Sequence, residues 1–116
     1  ILREGEQGAS KPTLADADAD GYTLLHALAQ YDYAALISES ITQSSRGRAA
    51  LVNAQDRWGV TPLILAAVNG NQDCVRTLLQ LGVDVSHLDH KGRSAEAWAG
   101  RYGHNAICAM LADQRR

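Results

Sequence analysis

A 33-residue period constrains this chain more than any other feature. Asp56-Arg57-Trp58-Gly59-Val60-Thr61-Pro62-Leu63 lies 33 residues before Asp89-His90-Lys91-Gly92-Arg93-Ser94-Ala95-Glu96. The same offset relates Asn69-Gly70-Asn71 to Tyr102-Gly103-His104, Cys74-Val75 to Ile107-Cys108, and Leu78 to Leu111. One offset for all four matches marks a repeated structural unit. Asp18-Ala19-Asp20-Gly21-Tyr22-Thr23 matches Asp56 to Thr61 at 38 residues, the same unit with five added residues. Ser38 to Arg48, with four Ser, two Arg, Gly47 and Ile41 as its only bulky apolar residue, is expected to be the loop that holds them.

Each unit carries the same local signals. An Asp and a Gly three residues apart mark a tight turn. Thr23, Thr61 or Ser94 then stands where a hydroxyl caps the first turn of a helix. Pro62 suits the first helical position, where its missing N–H costs nothing. A short helix is expected from Pro62 to Asn69, stopped by Gly70, and a second from about Gln72 to Leu81, stopped by Gly82. Cys74, Val75, Leu78 and Leu79 follow the spacing of one helix face. Val83-Asp84-Val85 then reads as an extended lead into the next turn. Ala66 and Ala67 are small, as close helix stacking requires. In the first unit Ser40 replaces Leu78, which predicts a second helix frayed or shifted onto Ile41. Glu96 stands where Leu63 is buried; an unpaired buried carboxylate is costly, so it is expected at the solvent edge of the last unit.

These units resemble the ankyrin repeat, whose core reads Thr-Pro-Leu-His-x-Ala-Ala, then Gly, then Leu-Leu-x-x-Gly. Here the second unit has Thr61-Pro62-Leu63-Ile64-Leu65-Ala66-Ala67, Gly70 and Leu78-Leu79-Gln80-Leu81-Gly82. The first has Thr23-Leu24-Leu25-His26-Ala27-Leu28-Ala29 and the third Ser94-Ala95-Glu96-Ala97-Trp98-Ala99-Gly100. The resemblance covers roughly residues 18–112 and implies an all-α solenoid of stacked helix-turn-helix units joined by hairpin-like turns. It divides the chain into residues 1–17, the remnant or cap of a preceding repeat plus a loop; 18–55, a repeat with an insertion at 38–48; 56–88, a repeat; and 89–116, a capping repeat and tail. Ile1-Leu2-Arg3-Glu4-Gly5 is similar to the end of a second helix, Leu78 to Gly82. Thr23, His26, Gly59, Thr61, Pro62, Leu63, Gly70, Gly82, Gly92, Ser94 and Gly103 are the positions expected to hold the scaffold. The acidic opening of the first unit and its insertion are also similar to the inhibitor-of-NF-kappaB group, which binds Rel-type transcription factors.

Composition narrows the function. Charged residues make up 21% and hydrophobic residues 46%, the balance of a globular chain, and the net charge of -2 is too neutral for a strongly basic nucleic-acid binder. No 18-residue apolar run suits a membrane span, and no signal peptide opens the chain. Starting at Ile1 rather than Met, the chain reads as part of a larger parent. Cys74 and Cys108 make no disulfide framework and fit a reducing compartment, so a cytoplasmic or nuclear location is expected. Charge is uneven: residues 1–22 carry Arg3 and Lys11 against five acids, whereas 90–116 carry five cations against Glu96 and Asp113. Oppositely charged ends also allow weak head-to-tail self-association.

No catalytic constellation emerges, and no cofactor or metal is expected. Asp16-x-Asp18-x-Asp20-Gly21 opens like a calcium loop, but its twelfth position is Ala27, not the bidentate acid. His87 and His90 flank a turn away from the cysteines, so they do not converge on zinc. Ser44-Ser45-Arg46-Gly47-Arg48 reads as a solvated basic insertion.

Binding is therefore the expected activity, through a protein partner. The turn tips and first-helix ends of such a stack form an extended concave surface. The chain has no Phe, four Tyr and two Trp. Of these six aromatic residues, Tyr22, Tyr31, Trp58 and Tyr102 fall on that surface. With Arg57, Asn69, Lys91, Arg93 and Arg101 they form the candidate protein-binding set, in which Tyr31, Trp58, Arg101 and Tyr102 are the expected anchors. The competing expectations are that Trp58 and Tyr22 only pack over neighbouring hairpins, and that the stack packs in cis within a larger enzyme or channel.

Overall fold

The computed structural model describes residues 19–43 and 48–114, which form seven helices and no strand. They are α1 (Leu24–Gln30), α2 (Ala34–Gln43), α3 (Arg48–Val52), α4 (Pro62–Asn69), α5 (Gln72–Gln80), α6 (Ala95–Arg101) and α7 (Asn105–Gln114). The helices of each antiparallel pair, α1–α2, α4–α5 and α6–α7, pack on each other. Across the pairs, α1, α4 and α6 form one layer and α2, α5 and α7 the other. This is the all-α solenoid that the resemblance to the ankyrin repeat implies.

Local chemistry starts the first-layer helices. The hydroxyls of Thr23, Thr61 and Ser94 accept the N–H of His26, Ile64 and Ala97 at 3.3, 3.3 and 3.1 Å, satisfying donors that the first turn leaves orphaned. At α1 the cap is reciprocal: His26 Nδ1 accepts the N–H of Thr23 at 3.1 Å. Pro62 begins α4 and is fully buried. Gly70 ends α4 in the left-handed conformation, and its N–H reaches back to the α4 carbonyls. Gly82, Gly92 and Gly103 share that backbone conformation. At the equivalent place in the first repeat stands Asp32, the one non-glycine residue with positive φ among the described residues.

The core sits between the layers. Leu25, Leu63, Ala66, Ala67, Ala95 and Ala99 are buried in the first layer, and Ile37, Cys74, Val75, Leu78, Ile107 and Leu111 in the second. Ala66 and Ala67 are inaccessible, consistent with helices that stack closely through small side chains.

Three local expectations change. Ser38 to Gln43 is not loop: it continues α2, because Ile37 and Ile41, one turn apart, both bury against the core. Arg48 to Val52 is helical too, with Leu51 and Val52 buried. The second helix of the first repeat has therefore shifted onto Ile41 without fraying there. Between the second and third repeats the extended segment is interrupted by a turn at Val85-Ser86, where Asp84 Oδ1 accepts the Ser86 N–H and hydroxyl at 3.0 and 2.7 Å. These contacts hold the Asp84 carboxyl below its usual range. Glu96 is half-buried. The expectations for Ile1 to Gly5, residues 1–17, Asp16, Asp18 and Ser44 to Gly47 concern positions outside the described residues.

Candidate protein-binding face

The hairpin tips form the first part of the site. The second and third tips each fold around an aspartate. Asp56 Oδ1 accepts the N–H groups of Trp58 and Val60, both at 2.9 Å. Asp89 Oδ1 does the same for Lys91 and Arg93, at 3.0 and 2.9 Å. The tips are then joined in series. The Arg57 N–H donates to the Asp20 carbonyl at 2.7 Å, and the His90 N–H to the Trp58 carbonyl at 2.9 Å. That approach leaves no room at Gly59, where a Cβ would lie 2.6 Å from the His90 ring and 2.9 Å from its backbone nitrogen.

His26 and His104 tie neighbouring repeats together, and His87 closes the second repeat on its own tip. Nε2 of His26, His87 and His104 meets the carbonyls of Val60, Gly59 and Val68, at 2.8, 2.8 and 3.2 Å. A carbonyl only accepts, so each Nε2 carries a proton. For His26 this leaves Nδ1 as the acceptor that the Thr23 cap requires. Asn71 adds a link, donating to the carbonyls of Ala29 and Gln30 at 2.8 and 3.1 Å. Among the described residues no group of histidines, cysteines and acids is arranged to hold a metal.

The candidate binding residues occupy two rows. Arg57, Trp58 and Lys91 stand on the tips, exposed, with Arg93 half-buried at the base of the third. Tyr31, Asn69, Arg101 and Tyr102 stand exposed at the far ends of the first-layer helices, about 10 Å away by helix rise. Trp58, Tyr31 and Tyr102 are 55%, 65% and 53% exposed. Arg57 lies over the Trp58 ring, 5.2 Å from its centroid, and pairs with Asp20 at 2.8 Å. Asn69 donates to the Leu65 carbonyl of its own helix at 2.9 Å. Tyr22 differs from the others: it is half-buried, its ring stacks on His26 and its hydroxyl bonds Gln30. It packs along its own helix rather than projecting.

Trp98 is the residue that the sequence pattern overlooks. Its indole N–H donates to Asp89 Oδ2 at 2.9 Å. Its ring stacks on Tyr102 with centroids 6.0 Å apart, and Tyr102 in turn stacks on His104 at 6.4 Å. The Arg93 guanidinium lies 4.8 Å from the Trp98 centroid. In the third repeat the two rows are thus bridged by one aromatic ledge. The four-residue spacing of Trp98 and Tyr102 on one helix is the signal that could have shown it. Asp89 is the hub. Burial alone would raise its carboxyl pKa. The Arg93 N–H, the Trp98 indole, the Lys91 N–H and the Arg93 charge outweigh that and hold it below the usual range.

Residues 41–116 match the family described as ankyrin repeats, in three copies. The chain is 30% identical over 95 residues to the nuclear factor NF-kappa-B p105 subunit of Rattus norvegicus, covering 81% of this chain. It is 35% identical over 69 residues, 60% of its length, to inversin of Mus musculus. An espin-like protein of Homo sapiens is 40% identical over 57 residues, 49% of this chain. The chain spans 6% to 10% of the length of these curated relatives. Paired helices in two layers, hairpins linked tip to tip and a family match over most of the described residues agree: this chain belongs to the ankyrin-repeat family.

Proposed function

We propose that this chain is a non-catalytic protein-binding module that engages a protein partner through its hairpin tips and first-layer helices. Ankyrin repeats are generally protein–protein interaction modules, and this stack places Tyr31, Trp58 and Tyr102 in solvent. That exposure is the observation that carries the reading. The core is filled by Leu, Ile, Val and Ala, and large rigid aromatics beside arginines are the side chains that anchor interfaces. The test is a quantitative pull-down from cell lysate using the chain, a Trp58→Ala/Tyr102→Ala variant and an Arg76→Ala control on α5, each verified as folded by circular dichroism. Proteins held by the chain and the control, and lost at least about tenfold by the double variant, support this face. Equal retention by all three removes it.

Similarity to the p105 subunit over 81% of the chain favours a second reading, a transcription regulator binding a Rel-type factor. Titration with a purified Rel-type dimer separates it from the general reading. The division at 18, 56 and 89 belongs to the same proposal, with residues 1–17 as the end of a preceding repeat. Leu24 and Leu36 support that part. They are 42% and 46% exposed, whereas their equivalents, Pro62 and Ala95, Cys74 and Ile107, are buried.

A further inference from the structure

The charges of the tips and first-layer helices are sorted by sign. Asp56 and Asp89 are turned inward, accepting backbone N–H groups and the Trp98 indole, while Asp20 pairs with Arg57 on the surface. The cations of the third repeat point outward. Lys91 and Arg101 are exposed, and Arg93 is held over the Trp98 ring. Asp89 lies against the Arg93 charge, so Lys91 and Arg101 carry the excess on this side, and Asp113 lies near the end of α7 in the other layer. A chain of net charge -2 therefore presents a local positive field around an aromatic ledge. An arginine fixed on an aromatic face keeps its N–H fork available while losing less entropy when it binds a carboxylate.

Resting on the protein-binding reading, we propose that the third repeat anchors an acidic, extended segment of the partner protein. Lys91, Arg93 and Arg101 hold its carboxylates, and an apolar or aromatic side chain of the segment lies on the Trp98–Tyr102 ledge. The positive field steers the segment in and sets its register, and the ledge supplies desolvated contact area.

The experiment is selection from an unbiased random-peptide display library on the folded chain. Fluorescence anisotropy of the labelled winning peptides follows, against the chain, Arg93→Gln/Arg101→Gln, Arg101→Glu and Arg76→Gln. Enrichment in Asp and Glu is expected. The double variant and the charge reversal should each bind at least about tenfold more weakly, and the α5 control should match the parent chain. Affinity should fall as salt rises from about 50 to about 300 mM. Arg101→Glu leaves the packing over Trp98 intact, so the test does not depend on Arg93 tolerating change. No enrichment, winners without acidic bias, or acidic winners indifferent to both arginine variants would overturn the proposal. Tighter binding of a 20-base-pair DNA duplex than of any winning peptide would overturn it as well. The lysate pull-down distinguishes the two levels. A partner lost by Trp58→Ala/Tyr102→Ala but kept by Arg93→Gln/Arg101→Gln leaves a protein-binding module whose partner is not acidic. A partner kept by both variants removes the binding face itself.

Discussion

Asp89 performs three tasks with one side chain: it closes its hairpin, orients the Trp98 indole and lies against the Arg93 charge. Its carboxyl is held below the ordinary range in the folded chain, so the folded state favours the ionised form. The resulting stability is fully present above the unfolded carboxylate pKa of about 4 and is lost as pH falls through the lowered folded value. Denaturant melts between about pH 6 and about pH 2 should show this, and Asp89→Asn should flatten the acid limb. A variant with the parent's full acid dependence would place the effect elsewhere. Cys74 titrates in the other direction. Burial and the hydrogen bond to Asp32 push its thiol up to about 12, so it serves as core packing and not as a nucleophile. Asp32 illustrates what the repeat alignment hides. It stands at the Gly70 position with positive φ, and its carboxylate receives the Cys74 thiol at 3.5 Å.

At the level of elements, the hydroxyl caps were legible in the sequence because capping is a local contact spanning three residues. The caps are nevertheless unequal. Thr61 makes one side-chain bond to the Ile64 N–H, whereas Thr23 shares a reciprocal cap with buried His26, which also reaches Val60. Thr61→Ala should cost about 1 kcal/mol, and Thr23→Ala about 2 kcal/mol because it loosens an inter-repeat link as well. Urea melts of the two variants measure the difference, and equal losses would show that the His26 bridge adds nothing. Helix α2 was less legible. Its Ser38, Glu39, Ser40, Thr42 and Gln43 read as loop, but Ile37 and Ile41 bury against the stack. Two well-placed apolar residues outweighed the composition of the rest, because tertiary burial contributes more to helix stability than local propensity does.

The whole stack is asymmetric. At its C-terminal side, Glu96, Ala97 and Gly100 replace residues that are buried in the other repeats, such as Leu63, Ile64 and Ala67. At the N-terminal side, Leu24 and Leu36 leave large apolar surface exposed. A polar or small outer face suits a terminal repeat, and a large apolar one suits an internal repeat. Replacing Leu24 and Leu36 by Ser should therefore cost less than about 1 kcal/mol each in urea melts, and a larger loss would show that this face is covered.

By itself the sequence determined the repeat length, the helix pairs, the caps, the turn glycines and which faces are apolar. Each of these is written within a few neighbouring residues and repeated 33 residues on. Only the tertiary structure decided that α2 continues through Gln43, that Tyr22 lies along α1, and that Trp98 joins Asp89, Arg93 and Tyr102 into a ledge. Those outcomes depend on which side chains meet across a stack, and on the burial that makes one contact outweigh another. Neither is a property of any short stretch of chain.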